Sequence, residues 1–213
     1  NAAQAVASQV STGVTALMGS FSSAMQPQII KSYASGDYGH MWKLVFNGTR
    51  YSFFLLAVFI IPLCFNIDFI LSLWLKEIPV YTNIFTILLL ANILMECYAT
   101  YIITVLLATG KIALYQTLVG TLLLLNVPLS YLIFKWGGAP ISFLLVSILL
   151  TLMALGMRLV LLKKMLPFSV RAFMKQVVFR TSAVVLMICA ATWGLFLLLK
   201  GAPGERFICL ALS

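Results

Sequence analysis

The sequence is dominated by six runs of about twenty mostly apolar residues, separated by short segments that carry nearly all of the charge. A helix of this length crosses the apolar core of a bilayer. Backbone N–H and C=O groups in lipid must find partners within their own segment, so each run should be an α-helix rather than a strand. The predicted spans are Asn1 to Ala24, Phe46 to Asn66, Tyr81 to Ala108, Ile112 to Phe134, Ala139 to Leu162 and Thr181 to Leu199.

The composition agrees with an all-α, polytopic transmembrane bundle. Hydrophobic residues make up 62% of the chain and charged residues only 9%, whereas about 25% of residues in soluble domains are charged. The chain begins inside one apolar run and stops just after another begins, so we expect it to be a fragment of a longer protein. Residues 1–162 should hold five spans, residues 163–180 a cytoplasmic connector, and residues 181–213 a further span and the start of another.

Lys and Arg are distributed unevenly between the two sides of the predicted bundle. Ten lie on one side and four, namely Lys76, Lys135, Lys200 and Arg206, lie on the other. By the positive-inside rule the ten-residue side is cytoplasmic, so the first helix ends in the cytoplasm. This pattern explains the net charge of +9 without nucleic acid as a partner. Membrane lipids are the expected partner of these basic loops.

Glu96 is the only acidic residue deep inside a predicted span. A charge at the centre of a bilayer costs about 2.5–3.5 kcal/mol on insertion scales, so a partner, a neutral form or a water-filled cavity is expected. Asn92, Thr100 and Thr104 repeat at every fourth residue with Glu96 and should share its helix face. We interpret Glu96, Asn92 and Thr100 as a candidate ion-coupling site; a structural carboxyl bonded to a neighbouring helix is the alternative.

The first predicted helix is too polar to face lipid on all sides. Gln4, Ser11, Thr15 and Ser22 lie on one face and are candidates for the lining of a substrate cavity. A neighbouring ladder of Ser, Thr and Ala at every fourth residue favours close packing of helices instead. The sequence supports both interpretations.

Other polar residues in the spans extend the candidate cavity. Gln116 and Asn126 lie in the fourth predicted span, which Pro128 should kink. Arg50 and Arg158 lie near the cytoplasmic ends of their spans, where snorkelling to headgroups is expected. Binding of an anionic substrate inside the bundle is the alternative, and Arg50 is retained as a cavity candidate for that reason.

The connector at residues 163–180 has a helical pattern of its own. Val170, Phe173, Met174 and Val177 recur at helical spacing, and Ser169 is placed to cap the start of a helix. We predict a short amphipathic helix at the membrane surface, whose cations meet anionic headgroups. An ordinary basic connector is the alternative.

Chemistry other than transport finds little support in the sequence. There is no Walker-type glycine loop, His40 is the only histidine, and the four cysteines lie in apolar stretches without a CxxC motif. No metal site and no cofactor are therefore predicted. An intramembrane enzyme should place several acids or histidines near one face, and only Glu96 qualifies, so we predict that the protein is not an enzyme.

Short motifs follow one another along residues 1–162. They are Asn1-Ala2-Ala3-Gln4, Gln9-Val10, Pro27 to Asp37, Ile70 to Leu75 before Pro79, Ala108 to Lys111, and Pro128 to Tyr131 before Gly137-Gly138. In order and spacing they resemble the oligosaccharide (O-antigen and capsular polysaccharide) flippases of the multidrug, oligosaccharidyl-lipid and polysaccharide exporter superfamily.

This resemblance implies a MATE-like transporter with two lobes, of which the chain would cover most of the C-terminal lobe and lack the N-terminal one. The implied substrate is an undecaprenyl-diphosphate-linked oligosaccharide, flipped across the bacterial inner (cytoplasmic) membrane by alternating access for polysaccharide or lipopolysaccharide biosynthesis. Coupling to a proton or a sodium ion would be expected. A multidrug or small-molecule cation antiporter of the same superfamily, and a polytopic membrane enzyme of envelope glycan assembly, stay open as alternatives.

Overall fold

The computed structural model describes residues 2–75 and 79–199, and the regular structure in these ranges is entirely helical. The helices are α1 (Ala2–Ala34), α2 (Tyr38–Phe65), α3 (Ile67–Trp74), α4 (Thr82–Ala108), α5 (Ile112–Leu124), α6 (Asn126–Lys135), α7 (Ser142–Met165), α8 (Val170–Phe173) and α9 (Arg180–Leu199). A π-helical segment, Met174–Phe179, joins α8 to α9. The predicted all-α class is confirmed over the described residues.

Five helices in the described ranges are long and apolar enough to cross a membrane. They are Tyr38–Phe65, Thr82–Ala108, Ile112–Lys135, Ser142–Met165 and Val170–Thr192. The chain is thus a multi-pass membrane protein. Helix α1 has 33 residues and is long enough to span a bilayer, but it is too polar to belong to this apolar group.

The fourth predicted span is one apolar stretch divided into two helices. Helix α5 ends at Leu124 and α6 begins at Asn126, with Leu125 between them. Pro128 lacks an N–H donor, and its ring clashes with the carbonyl four residues earlier, which belongs to Leu124. The helix is therefore interrupted at the place where the kink was predicted, and proline sterics explain the position of the break.

Helix α4 lies at the centre of the described bundle. It packs against α1, α2 and α7, and α7 in turn carries α5 and α6. Tyr101 of α4 marks the place where three helices meet. Its hydroxyl shares a hydrogen bond of 2.7 Å with Ser52 of α2. A Cβ added at Gly48 of α2 would lie 3.2 Å from the Tyr101 ring and 3.3 Å from Met25 of α1, so glycine permits this close approach.

Helices α8 and α9 and the π-helical segment form one continuous helix, so the predicted connector and the last span are not separated by a loop. The Ser169 side chain accepts a hydrogen bond from the Ala172 N–H and caps the start, as the sequence predicted. Further along, the Tyr98 and Thr181 hydroxyls share a hydrogen bond of 2.8 Å that ties α4 to α9. The start of another span, which we expected at the end of residues 181–213, lies outside the described residues.

Candidate functional site

One face of α4 is left uncovered by the rest of the described bundle. Residues on this face are exposed or half-buried and recur at helical spacing; they are Phe85, Leu89, Asn92, Glu96 and Ile103. We call these residues the open face of α4. Helices α1, α2 and α7 cover the other sides of α4.

A cleft of about 370 Å³ lies at the end of the open face that is predicted to face outward. Its lining is mainly apolar and comes from α1, α4, α6 and α7 and from the turn before α7: Gln4, Phe85, Phe134, Pro140, Phe143 and Leu144. Gln4 belongs to α1, and Phe143 and Leu144 belong to α7. The cleft therefore shows that α1 and α7 flank the open face, with Gln4 as the only polar side chain in this lining.

Glu96 lies near the middle of α4, at the centre of the open face. It is fourteen residues after Thr82, which places it about 21 Å along the helix. Its side chain is exposed. Asn92, one turn earlier, is half-buried, and its side-chain oxygen is buried without a hydrogen-bond partner in the structure. These two residues offer a carboxyl group and an unsatisfied acceptor on adjacent turns of α4.

The rest of the predicted stripe is satisfied by its own helix. The Thr100 hydroxyl donates to the Glu96 carbonyl oxygen at 3.4 Å, and the Thr104 hydroxyl donates to the Thr100 carbonyl oxygen at 3.2 Å. Thr104 is 6% exposed, so the stripe turns into the bundle at this end. Asn92 and Glu96 are thus the stronger ion-binding candidates, and Thr100 contributes a hydroxyl that is already engaged.

Arg158 is buried in the structure, whereas the sequence predicted that its side chain would snorkel to the lipid headgroups. Snorkelling requires an exposed side chain, but Arg158 is only 7% exposed, and its Nε has no hydrogen-bond partner. It interacts electrostatically with Glu96. Arg158 lies sixteen residues after the start of α7, or about 24 Å along it, which is close to the depth of Glu96 in the parallel helix α4.

The sequence does contain a signal for the burial of Arg158. It lies seven residues after Thr151 and four after Ala154, and both of these residues are buried. Residues at this spacing share one side of a helix. Arg158 therefore belongs to the buried stripe of α7. This spacing predicts its burial better than its closeness to the end of the span does.

The predicted polar face of α1 is largely uncovered. Gln4 and Thr15 are exposed and Ser11 is half-buried. Because Ser11 and Thr15 follow Gln4 by about two and three turns, they point in nearly the same direction as Gln4. Ser22 lies on the same face as Gln4 but is covered, which corrects the prediction: it is 4% exposed and lies near the Tyr101 hydroxyl. Helix α2 returns along α1 from the cytoplasmic turn and covers this part of it.

The Ser11 and Thr15 hydroxyls of α1 do not need water as a hydrogen-bond partner. Ser11 donates to the Ser8 carbonyl oxygen at 2.9 Å, and Thr15 donates to the Ser11 carbonyl oxygen at 2.8 Å. Bonds of this kind let Ser and Thr lie within a membrane helix. The amide of Gln4 and the carboxylate of Glu96 are therefore the groups whose exposure argues for an aqueous surface.

The remaining cavity candidates do not join this site. Arg50 is half-buried, and its guanidinium is held by its own helix through the Phe46 carbonyl oxygen and the Asn47 side chain. Gln116 is exposed on α5, outside the buried stripe that packs on α7. The Asn126 side-chain oxygen accepts a hydrogen bond of 3.1 Å from the Ser130 hydroxyl.

Within residues 2–75 and 79–199, no group of three His, Cys, Asp or Glu side chains comes together as metal ligands would. Comparison of the chain with protein-family models, with curated proteins and with solved structures found no match. The open face of α4 and the helices beside it are therefore the features from which a function can be inferred.

Proposed function

We propose that the chain forms part of a membrane transporter in which the open face of α4 and the polar face of α1 line a central cavity. The observation that carries this proposal is the exposed carboxylate of Glu96 near the middle of a membrane span. Facing lipid, a charge there would cost about 2.5–3.5 kcal/mol on insertion scales. A water-filled cavity between helices removes this cost, and transporters place their binding sites in such cavities near the bilayer midplane.

A second lobe of the same protein closes the cavity in this proposal. Helix α1 supports it, because this helix has the length of a span but exposes Gln4 and Thr15 on one face. A polar face of this kind is stable beside another lobe and water, and costly beside acyl chains. Rocking of the two lobes about the shared cavity opens it to each side of the membrane in turn.

The transported molecule in this proposal is an undecaprenyl-diphosphate-linked oligosaccharide, which is flipped across a bacterial inner membrane. The resemblance to oligosaccharide flippases supports this choice, and so does the chemistry of the cavity. The amides of Gln4 and Asn92 provide donors and acceptors for sugar hydroxyls. The buried Arg158 guanidinium, whose charge interacts with Glu96, adds a positive potential that favours an anionic diphosphate in the cavity.

Glu96 also provides the link to an ion gradient in this proposal. A proton or a sodium ion would bind at its carboxylate, with the unsatisfied oxygen of Asn92 as a second ligand. Ion binding changes the charge next to Arg158 and therefore the affinity of the cavity for an anionic substrate. By thermodynamic linkage the substrate changes the affinity for the ion by the same factor.

Reconstitution of the intact protein into liposomes tests this function. We expect it to speed the movement of a fluorescent undecaprenyl-diphosphate oligosaccharide between leaflets by at least about tenfold, which corresponds to about 1.4 kcal/mol of barrier. Protein-free liposomes provide the background rate. The measurement is the accessibility of the label to dithionite, a reductant that does not cross the membrane.

Two other outcomes of this assay would contradict the proposal. Exchange of small cationic drugs for ions, without movement of the lipid, would establish the antiporter alternative. Chemical conversion of the sugar or the lipid, without movement, would establish the enzyme alternative.

A further inference from the structure

The second half of the chain carries basic residues without acidic ones. From Cys97 to Gly204 the sequence contains nine Lys or Arg and no Asp or Glu. Five of these cations lie within residues 163–180, on the predicted cytoplasmic side: Lys163, Lys164, Arg171, Lys175 and Arg180. Among the described acids only Asp37 lies at this end, and its carboxylate caps α2 by accepting a hydrogen bond from the His40 N–H. Within the described residues, the basic cluster is therefore free to bind an anionic ligand.

Two clefts lie beside these cations, one on each side of the start of α8. The first has a volume of about 580 Å³ and is lined by Gly156, Leu159, Val160, Lys163, Lys164 and Val170. The second has a volume of about 460 Å³ and is lined by Arg171, Met174, Lys175, Val178, Phe179 and Ser182. Each cleft combines an apolar lining with two cations, and each falls in the size range of about 300–1,000 Å³ that is usual for ligand pockets.

The segment between the clefts is held firmly by its buried face. Phe173 and Val177 are fully buried. The Phe173 ring packs edge-on against Phe46 of α2 at 5.6 Å and lies 5.9 Å from the Phe168 ring. Arg171 and Lys175 are exposed, so the cations project from an anchored helix.

The second cleft also coincides with the π-helical segment Met174–Phe179, which contributes four of its lining residues. Turns of this type are rare and are frequently found at functional sites, because the extra residue per turn shifts side chains away from their α-helical positions. The π-helical segment is thus the part of this helix that lines the second cleft.

We propose that these two clefts bind an anionic phospholipid of the cytoplasmic leaflet. Its phosphate lies against Lys163, Lys164, Arg171 and Lys175, and its acyl chains occupy the clefts. A cation pair at the rim of an apolar cleft matches a molecule with a charged head and an apolar tail. A free phosphate ion would leave both apolar linings empty.

The site is distinct from the proposed transport cavity. Gly156 and Val160 each lie two residues from Arg158, so they point about 160° away from it around α7. Arg158 is buried beside α4, whereas the first cleft opens on the far side of α7. Binding of a phospholipid here does not depend on the proposed function.

Lipid binding to the intact protein in a neutral detergent tests this inference. Phosphatidylglycerol and cardiolipin are the anionic probes, phosphatidylcholine is the zwitterionic control, and bound lipid is counted by native mass spectrometry. Lys163→Gln with Lys164→Gln should lower the affinity for the anionic probes by about 30-fold, since each cation contributes about fivefold. Lys31→Gln with Lys43→Gln removes the same charge from exposed positions outside the clefts and should leave the affinity unchanged.

A neutral variant separates the acyl chain from the headgroup and covers the case in which the double lysine variant does not fold. Nothing lies within 4 Å of a Cβ added at Gly156, so Gly156→Leu can be accommodated and fills the first cleft. It should reduce binding of both anionic probes. Equal binding of phosphatidylcholine, equal losses in the two double lysine variants, or displacement of the probes by undecaprenyl diphosphate would overturn the proposal.

Discussion

Replacing Glu96 with glutamine is expected to lower export by about 5- to 150-fold, the range of a typical coupling free energy between two sites. Glutamine keeps the size and the hydrogen-bonding capacity of the side chain but cannot be ionised. Removing a charge near the middle of a span does not raise the cost of insertion, so the protein should still reach the membrane. The measurement is the amount of surface polysaccharide in a strain that depends on the intact protein, normalised to the protein in the membrane fraction.

Asp68→Asn provides the matched control for this experiment. Asp68 lies in the first turn of α3, is exposed, and accepts a hydrogen bond from the Asn83 side chain, which an amide oxygen can also accept. Export should be unchanged in this variant. If the Glu96→Gln variant exports polysaccharide at the wild-type level, with wild-type amounts of protein in the membrane, Glu96 has no role in transport.

Removing Glu96 and Arg158 together is expected to cost less stability than the sum of the two single losses. Arg158 is 7% exposed, its Nε has no hydrogen-bond partner, and its charge interacts with that of Glu96. The single variant Glu96→Gln leaves a buried cation uncompensated, whereas the double variant with Arg158→Gln removes both charges. A double-mutant cycle in detergent, followed by thermal unfolding, should give a coupling free energy of about 0.5–3 kcal/mol.

A second cycle provides the comparison for this coupling. Arg50 is engaged by the Phe46 carbonyl oxygen and the Asn47 side chain of its own helix, so Arg50→Gln combined with Glu96→Gln should be additive. Additive losses in the cycle of Glu96 and Arg158 would show that the two charges act independently. Arg158 would then have no role at the proposed ion site.

The helices were predictable because lipid leaves the backbone few alternatives, and the proline effect at Pro128 is equally local. The burial of individual side chains depends on how each helix is rotated, which the sequence indicates less directly. Arg158 lies near a cytoplasmic helix end, where an arginine can either snorkel or face inward, and the packing of α7 on α4 decides between them. The exposed position of Glu96 agrees with its polar stripe, but Thr104 of the same stripe is buried.

Ser22 shows the same limit on another helix. It points in nearly the same direction along α1 as Gln4, yet only Gln4 lies at the cleft beside the open face. The difference comes from α2, which folds back from the turn at Gly36 and covers the nearby end of α1. Helical periodicity predicts the direction in which a side chain points, whereas the tertiary packing decides which residues it contacts.

Reactivity of a cysteine introduced by Thr15→Cys tests whether the polar face of α1 lines a water-filled cavity. The background is the intact protein with its own cysteines replaced by alanine, and the probe is a charged methanethiosulfonate that does not enter lipid. Leu124→Cys, at a position that is 71% exposed on the apolar surface of α5, is the lipid-facing control. We expect rapid modification at position 15 and none at position 124. Equal lack of reaction at the two positions would show that the polar face of α1 does not line a water-filled cavity.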